Sequence, residues 1–180
     1  VASGKGANFG VLFKNASAIE KLRIVDTLIV DKTGTLTVGK PQLISVKAAS
    51  PWDENALLSY AASLERGSEH PLANAIVRGA EDRKIELFKA ENFSSLTGRG
   101  VAGTVKQHQV RLGNRLLLEE AGIAIETSSE TIDELRSEGQ TVMFIAIDGR
   151  FAGLVGVADP VKESSMEAIQ QLHDQGISVV

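Results

Sequence analysis

Thr27-Leu28-Ile29-Val30 runs directly into Asp31-Lys32-Thr33-Gly34-Thr35-Leu36-Thr37, and this join decides the architecture. A continuous apolar run rich in β-branched residues suits a strand buried on both faces, as in a parallel sheet. Asp31 then stands at the C-terminal end of that strand, where open α/β sheets place their ligands. Gly34 lets the backbone turn sharply, so that nearby N–H groups can face an anion. Thr33 and Thr35 add hydroxyl donors. A carboxylate so placed can attack a phosphoryl group and hold it as an acyl phosphate. Attack of one anion on another needs a cation between them, which points to Mg2+. A bare Asp after a strand is more simply a turn cap, but the whole seven-residue string asks for more than a cap.

Working outward, the two ends of the chain share one texture and the middle has another. Residues from Ser17 to Arg23 read as a short helix. After Asp159-Pro160, the residues Met166, Ile169 and Leu172 mark one helix face, Gly176 can end that helix, and Ile177 starts another apolar strand. These are strand–helix–strand pieces of a parallel sheet. In the middle, Gln42 to Val46 reads as a strand. Ser50-Pro51-Trp52-Asp53 reads as a helix start with Ser50 as cap, and Leu57, Leu58, Ala61, Ala62 and Leu64 form its stripe. Pro71 opens a second helix. Val101–Val105 and Gln109–Leu112 read as paired strands, and helices are expected near Arg115–Ala121 and Ser129–Glu138. Val142–Ile147 and Phe151–Val157 flank Asp148-Gly149, a pair suited to the positive φ angles of a two-residue hairpin turn. The simplest architecture is an α+β domain, an antiparallel sheet flanked by helices, inserted into an α/β domain. The expected boundaries are residues 1–41 and 158–180 for the α/β part and 42–157 for the insertion.

Composition narrows the function classes. The chain has 180 residues, 43% of them hydrophobic, which suffices for a buried core. Its net charge is -4, from 19 basic and 23 acidic side chains, with no basic stripe, which argues against nucleic acid as a partner. There is no cysteine, so disulfides and thiolate metal sites are excluded. No apolar stretch approaches the ~20 residues that span a bilayer. The chain is expected to be soluble in itself and to be a piece of something longer, because Ile177-Ser178-Val179-Val180 reads as a strand that has only begun.

A second string, Glu65-Arg66-Gly67-Ser68-Glu69-His70-Pro71-Leu72, places His70 at a helix start, facing the positive end of the helix dipole. That position favours neutral imidazole, able to stack on a base or donate one hydrogen bond. A lone His-Pro would be an ordinary cap in a surface loop. Further on stand Gly98-Arg99-Gly100-Val101 and Gly113-Asn114. Glycines permit close backbone approach, a carboxylate can accept from an exocyclic amine, and an Asn can bond ribose or phosphate.

Together these strings resemble the cytoplasmic catalytic region of heavy-metal-transporting P-type ATPases, most of all the copper(I)-exporting members. The resemblance covers essentially the whole chain. It implies a partial phosphorylation domain of the haloacid dehalogenase-like fold with an inserted nucleotide-binding domain, on the cytoplasmic side of an integral membrane protein. It implies that Asp31 is phosphorylated by ATP with Mg2+ held at Asp31 and Thr33, and that Lys32 belongs to the same catalytic string. It implies a nucleotide site of Glu65 on the adenine edge, Ser68, Glu69, His70, Gly98, Gly100, Val101, Gly113 and Asn114. Asp159-Pro160-Val161-Lys162 matches the hinge motif, so that Asp159 is expected to approach nucleotide on domain closure; its simpler role is a helix cap. Hydrolases of the superfamily usually carry a second Asp two residues after the nucleophile. Here that position is Thr33, which cannot take a proton near neutral pH as a carboxylate does. A long-lived phosphoenzyme is the expected consequence, which suits a pump.

The resemblance also names partners: ATP, the transmembrane and actuator domains of the same pump, and a transported metal bound elsewhere. The Thr-Gly-Asp and Gly-Asp-Gly motifs of the family do not occur in this stretch. Alone, the chain is therefore expected to bind ATP without transporting metal or completing the phosphorylation cycle. The segments 1–41 and 159–180 are expected to be labile relative to the middle. Two look-alike motifs fail. Gly34 to Pro41 has P-loop spacing, but Pro41 stands where a magnesium-binding Ser or Thr should be, and Gly98 to Gly103 matches GxGxxG but leads into strand-like residues. The competing readings are a haloacid dehalogenase-type phosphatase or mutase, which Thr33 disfavours, and a non-catalytic ATP-binding module.

Overall fold

The computed structural model describes residues 2–8 and 10–180; Val1 and Phe9 lie outside the described residues. The chain divides into two compact units, Val1–Thr37 with Val161–Val180, and Val38–Pro160. The segment 42–157 lies within the second.

The first unit carries α1 (Ala2–Asn8), α2 (Ala16–Leu22), β1 (Thr27–Leu28), α7 (Glu163–Asp174) and β8 (Ser178–Val179). β1 and β8 pair in parallel, Thr27 opposite Ser178 and Leu28 opposite Val179, and the N–H of Val30 donates to the Val180 carbonyl at 2.9 Å. The parallel pairing is as expected. Burial of the run on both faces is not: Ile29 is 84% exposed, because β8 is the only strand beside β1 among the described residues. Met166, expected on the inner face of α7, is exposed as well.

The second unit holds the apolar core: among the described residues, the buried hydrophobic ones lie between Val46 and Val157. It contains β2 (Gln42–Ala48), α3 (Glu54–Glu65), α4 (Pro71–Asp82), β3 (Ala90–Leu96), β4 (Gly100–Val105), β5 (His108–Gly113), α5 (Arg115–Glu120), α6 (Ser129–Ser137), β6 (Thr141–Ile147) and β7 (Arg150–Ala158). The six strands form one antiparallel sheet in the order β2-β7-β6-β5-β4-β3. Side chains alternate across it as the pleat requires. Ile145 and Ile147 join Leu57, Leu58, Leu64 and Ile76 on the α3/α4 face. Val142, Phe144 and Ala146 join Leu117, Leu118, Ile132 and Leu135 on the α5/α6 face. The β6–β7 turn is Asp148-Gly149, with φ of 51° and 75°, as its sequence predicts.

Two details correct the sequence reading. α3 is capped by Asp53, whose carboxylate accepts from the Ala56 N–H at 2.8 Å, and not by Ser50. An ionised acceptor beside the first free amides holds the helix start at Asp53. β3 was not foreseen. Its half-buried apolar residues, Ala90, Phe93 and Leu96, fall at every third position because Asn92 takes a left-handed φ of 52° and the ladder shifts between Glu91 and Ser94.

Candidate functional site

The first unit builds a loop around Asp31. The chain leaves β1 extended, and Asp31 Oδ1 accepts from the Thr33 N–H at 3.3 Å. Gly34, at φ 77°, turns the backbone. Thr37, 2% exposed, closes the loop from inside: its Oγ1 accepts from the Gly34 N–H at 3.0 Å and donates to the Lys32 carbonyl at 3.2 Å. The loop's next carbonyls are tied down from α7. Lys162 Nζ donates to the carbonyls of Gly34 at 2.7 Å and Thr35 at 2.9 Å, and Ser165 Oγ donates to the Leu36 carbonyl at 2.7 Å. Asp31, Lys32 and Thr33 remain exposed, so a phosphoryl group can reach the carboxylate. Sequence reading assigned no role to Thr37, Lys162 or Ser165 in this loop. Lys162 stands in the hinge string, and Ser165 carries no signal that a sequence alone displays.

Asp31 and Thr33 suit Mg2+. The Asp31 carboxylate has one long hydrogen bond and is otherwise open to a cation. Among the described residues no three His, Cys, Asp or Glu gather into a cage. Mg2+ needs none, since it keeps waters and phosphate oxygens as ligands and takes one or two carboxylates from the protein.

The second unit forms a cavity of about 370 Å³, lined by Glu65, Ser68, His70, Gly98, Gly100, Val101, Gly113 and Asn114 of the expected set. They converge from the end of α3, the start of α4, the β3–β4 turn and the end of β5. Leu72, Leu96, Val142 and Met143 add apolar wall, which the sequence reading did not assign. Apolar walls with a few convergent polar groups suit a flat aromatic ligand. Glu69 is exposed and does not line the cavity. His70 is the N-cap of α4, and its Nδ1 accepts from the Leu72 N–H at 3.2 Å, which leaves the ring's donor at Nε2.

The glycines and Asn114 have duties the sequence did not reveal. Gly100 and Gly113 face each other across β4 and β5, and a Cβ on either would strike the backbone of the other strand. Their absent side chains therefore serve the approach of strand to strand as well as any ligand. Asn114 caps α5, with Oδ1 accepting from the Leu117 N–H at 3.1 Å, and its Nδ2 donates to the Gly98 carbonyl at 2.8 Å. One amide N–H is left for a ligand. Asp159 does not line the cavity and caps no helix. Its carboxylate accepts from the Gly39 N–H at 2.9 and 3.1 Å and from the Lys40 N–H at 3.1 Å, tying the two connections of the second unit together.

Glu65 is the unusual group. It is 3% exposed, and its Oε2 has no hydrogen-bond partner. Burial pushes its carboxyl up from 4.5 to about 7, against a smaller opposing pull from the Ser68 hydroxyl. The folded protein thus holds this proton more tightly than the unfolded chain. The stability Glu65 contributes is complete below pH 4.5 and is lost as pH rises through about 7. Glu65→Gln, which removes the charge at similar volume, is expected to stabilise the protein at pH 8 by about 3 kcal/mol and to change little at pH 4. Urea unfolding at the two pH values measures the difference.

Known proteins resemble this chain in sequence and in fold. The profile of the haloacid dehalogenase-like hydrolase family matches residues 25–180. The chain is 51% identical over 180 residues to a copper-transporting P-type ATPase of Rhizobium leguminosarum bv. viciae and 43% identical to a silver-exporting P-type ATPase of Salmonella typhimurium. All of the chain is covered in both cases, but it spans only 21% and 22% of those relatives. A zinc-transporting PIB-type ATPase, crystallised in its E2.Pi state, superposes with a TM-score of 0.86 and 32% identity, over 99% of this chain and 29% of the other. No helix among the described residues is long and apolar enough to cross a membrane.

Proposed function

Because the chain belongs to the haloacid dehalogenase-like hydrolase family, we propose that it is the ATP-binding and phosphoryl-accepting segment of a heavy-metal-exporting P-type ATPase, with copper(I) as the metal. The observation that carries this reading is the cavity that gathers Glu65, His70, Gly98, Gly100 and Asn114 from four separate places in the fold. The copper-transporting relative at 51% identity, against the zinc-transporting neighbour at 32%, supports copper(I) over zinc. The transmembrane and actuator parts of such a pump would be the partners of this segment, which would sit on the cytoplasmic side.

In this reading the apolar walls take the adenine and His70 stacks on or donates to the base. The β3–β4 turn lets the nucleotide lie against backbone. Asp31 is the nucleophile: an Oδ–P bond forms to the γ-phosphorus as the bond to the ADP oxygen breaks. Asp31 and Thr33 would hold Mg2+, which would supply positive charge against the repulsion of the two anions. Thr37, Lys162 and Ser165 keep the loop in one shape, so that little reorganisation is needed when phosphate arrives. With Thr33 in place of a second acid, no side chain two residues on can activate water, and the acyl phosphate persists.

ATP titration followed by amide NMR tests the site. Shifts are expected at Glu65–Pro71, Gly98–Val101 and Gly113–Asn114, and His70→Ala is expected to weaken ATP binding about tenfold, the equivalent of one stacking or charged contact of about 1.4 kcal/mol. Absence of those shifts at millimolar ATP would defeat the proposal.

A further inference from the structure

Glu65 closes α3 and lines the cavity; its Oε2 is buried and unpartnered, and the Ser68 hydroxyl opposes the effect of burial only in part. No cation is placed to hold it ionised. Only His70 and Arg99 among the lining residues can carry charge, and the Arg99 guanidinium is engaged by Glu120. The other charged side chains on elements packed against α3 line no part of this cavity: Lys47 of β2, three residues late in α4, Glu91 of β3, and His108 and Arg111 of β5. Burial without a cation favours the neutral form of a carboxyl.

A neutral carboxyl presents a donor beside an acceptor, whereas an ionised one presents two acceptors. The outer edge of adenine presents the N6 amine as donor beside N1 as acceptor. An ionised carboxylate would set its second oxygen against the N1 lone pair. Building on the ATP-binding reading above, we propose that Glu65 reads adenine as a neutral acid, its O–H donating to N1 and its carbonyl oxygen accepting from the N6 amine. ATP binding then takes up or retains one proton at Glu65, and the affinity of the site is tied to pH.

The test is ATP binding by calorimetry at pH 6 and pH 8 on the protein, Glu65→Gln and Glu65→Ala, with the amide spectrum of the β6–β7 hairpin confirming the fold of each. A group near 7 is about nine-tenths neutral at pH 6 and about one-tenth at pH 8, so wild-type affinity should fall about tenfold between them relative to Glu65→Gln. Gln carries a donor and an acceptor in the same places and needs no proton. Glu65→Gln should change with pH only as the ATP phosphates do and bind ATP more tightly than wild type at pH 8, while Glu65→Ala is weak at both. The shared pH response of the ATP phosphates cancels in the comparison. Two results would overturn the proposal: Glu65→Gln as weak as Glu65→Ala at both pH values, or wild type and Glu65→Gln changing with pH in parallel. Wild type that binds no ATP even at pH 6 would overturn the nucleotide-site reading itself, a different failure from a loss confined to the Gln variant.

Discussion

Under the proposed function, Asp31→Asn in the full-length pump is expected to abolish the phosphoenzyme while leaving ATP affinity within about twofold of wild type. The amide is nearly the same size as the carboxylate, and its oxygen can still accept the Thr33 N–H bond, so the loop keeps its shape. What it lacks is the anionic oxygen that attacks phosphorus. The internal ties from Thr37, Lys162 and Ser165 do not involve the Asp31 side chain and survive the change. Transfer of radiolabel from the γ-phosphate of ATP, trapped in acid, reads the first quantity, and equilibrium ATP binding reads the second. Persistent label would remove Asp31 as the nucleophile. Loss of ATP binding together with label would make its role structural.

Gly100→Ala is expected to cost about 4 kcal/mol or more and to abolish ATP binding with it. Two effects add. At φ 148° an L residue is strained, and the new methyl strikes the backbone of β5 at Leu112 and Gly113, which cannot withdraw without breaking the β4–β5 ladder. Gly98→Ala, two residues earlier, is the internal control. It also has a positive φ, 71°, but open space around the added methyl, so strain alone should cost about 1 kcal/mol. Chemical denaturation of the two variants measures the gap. Equal, small losses would show that the strands can part at Gly100 and that its role lies with the ligand.

Much of this protein was legible before any coordinates. The β6–β7 hairpin follows from two apolar runs around Asp148-Gly149, and α4 from Pro71 at its first position, because each rests on backbone preferences acting over a few residues. The parallel pairing of β1 with β8 follows from apolar runs at the two ends of the chain. β3 escaped because the left-handed Asn92 changes the spacing of its apolar residues from two to three, and the α3 cap was misplaced because Ser50 and Asp53 both satisfy the local rule. The site divides the same way. Asp31 stands out from its string, and most residues that line the α3/α4 cavity could be picked out by their order along the chain, whereas Glu69 and Asp159, expected with them, do not line it.

What the amino-acid order alone determined is therefore the set of chemical groups and the elements that carry them. What only the tertiary structure decided is what each group is free to do. It put the amide of Asn114 to work on Gly98 and Leu117, held Asp159 on the amides of Gly39 and Lys40, and enlisted Lys162 and Ser165 to fix the Asp31 loop. It also sealed Glu65 into a cavity with one oxygen unpartnered. The reason is that a hydrogen-bonding partner and a local dielectric are properties of neighbours in space, and residues 34 and 162, or 98 and 114, become neighbours only when the chain has folded.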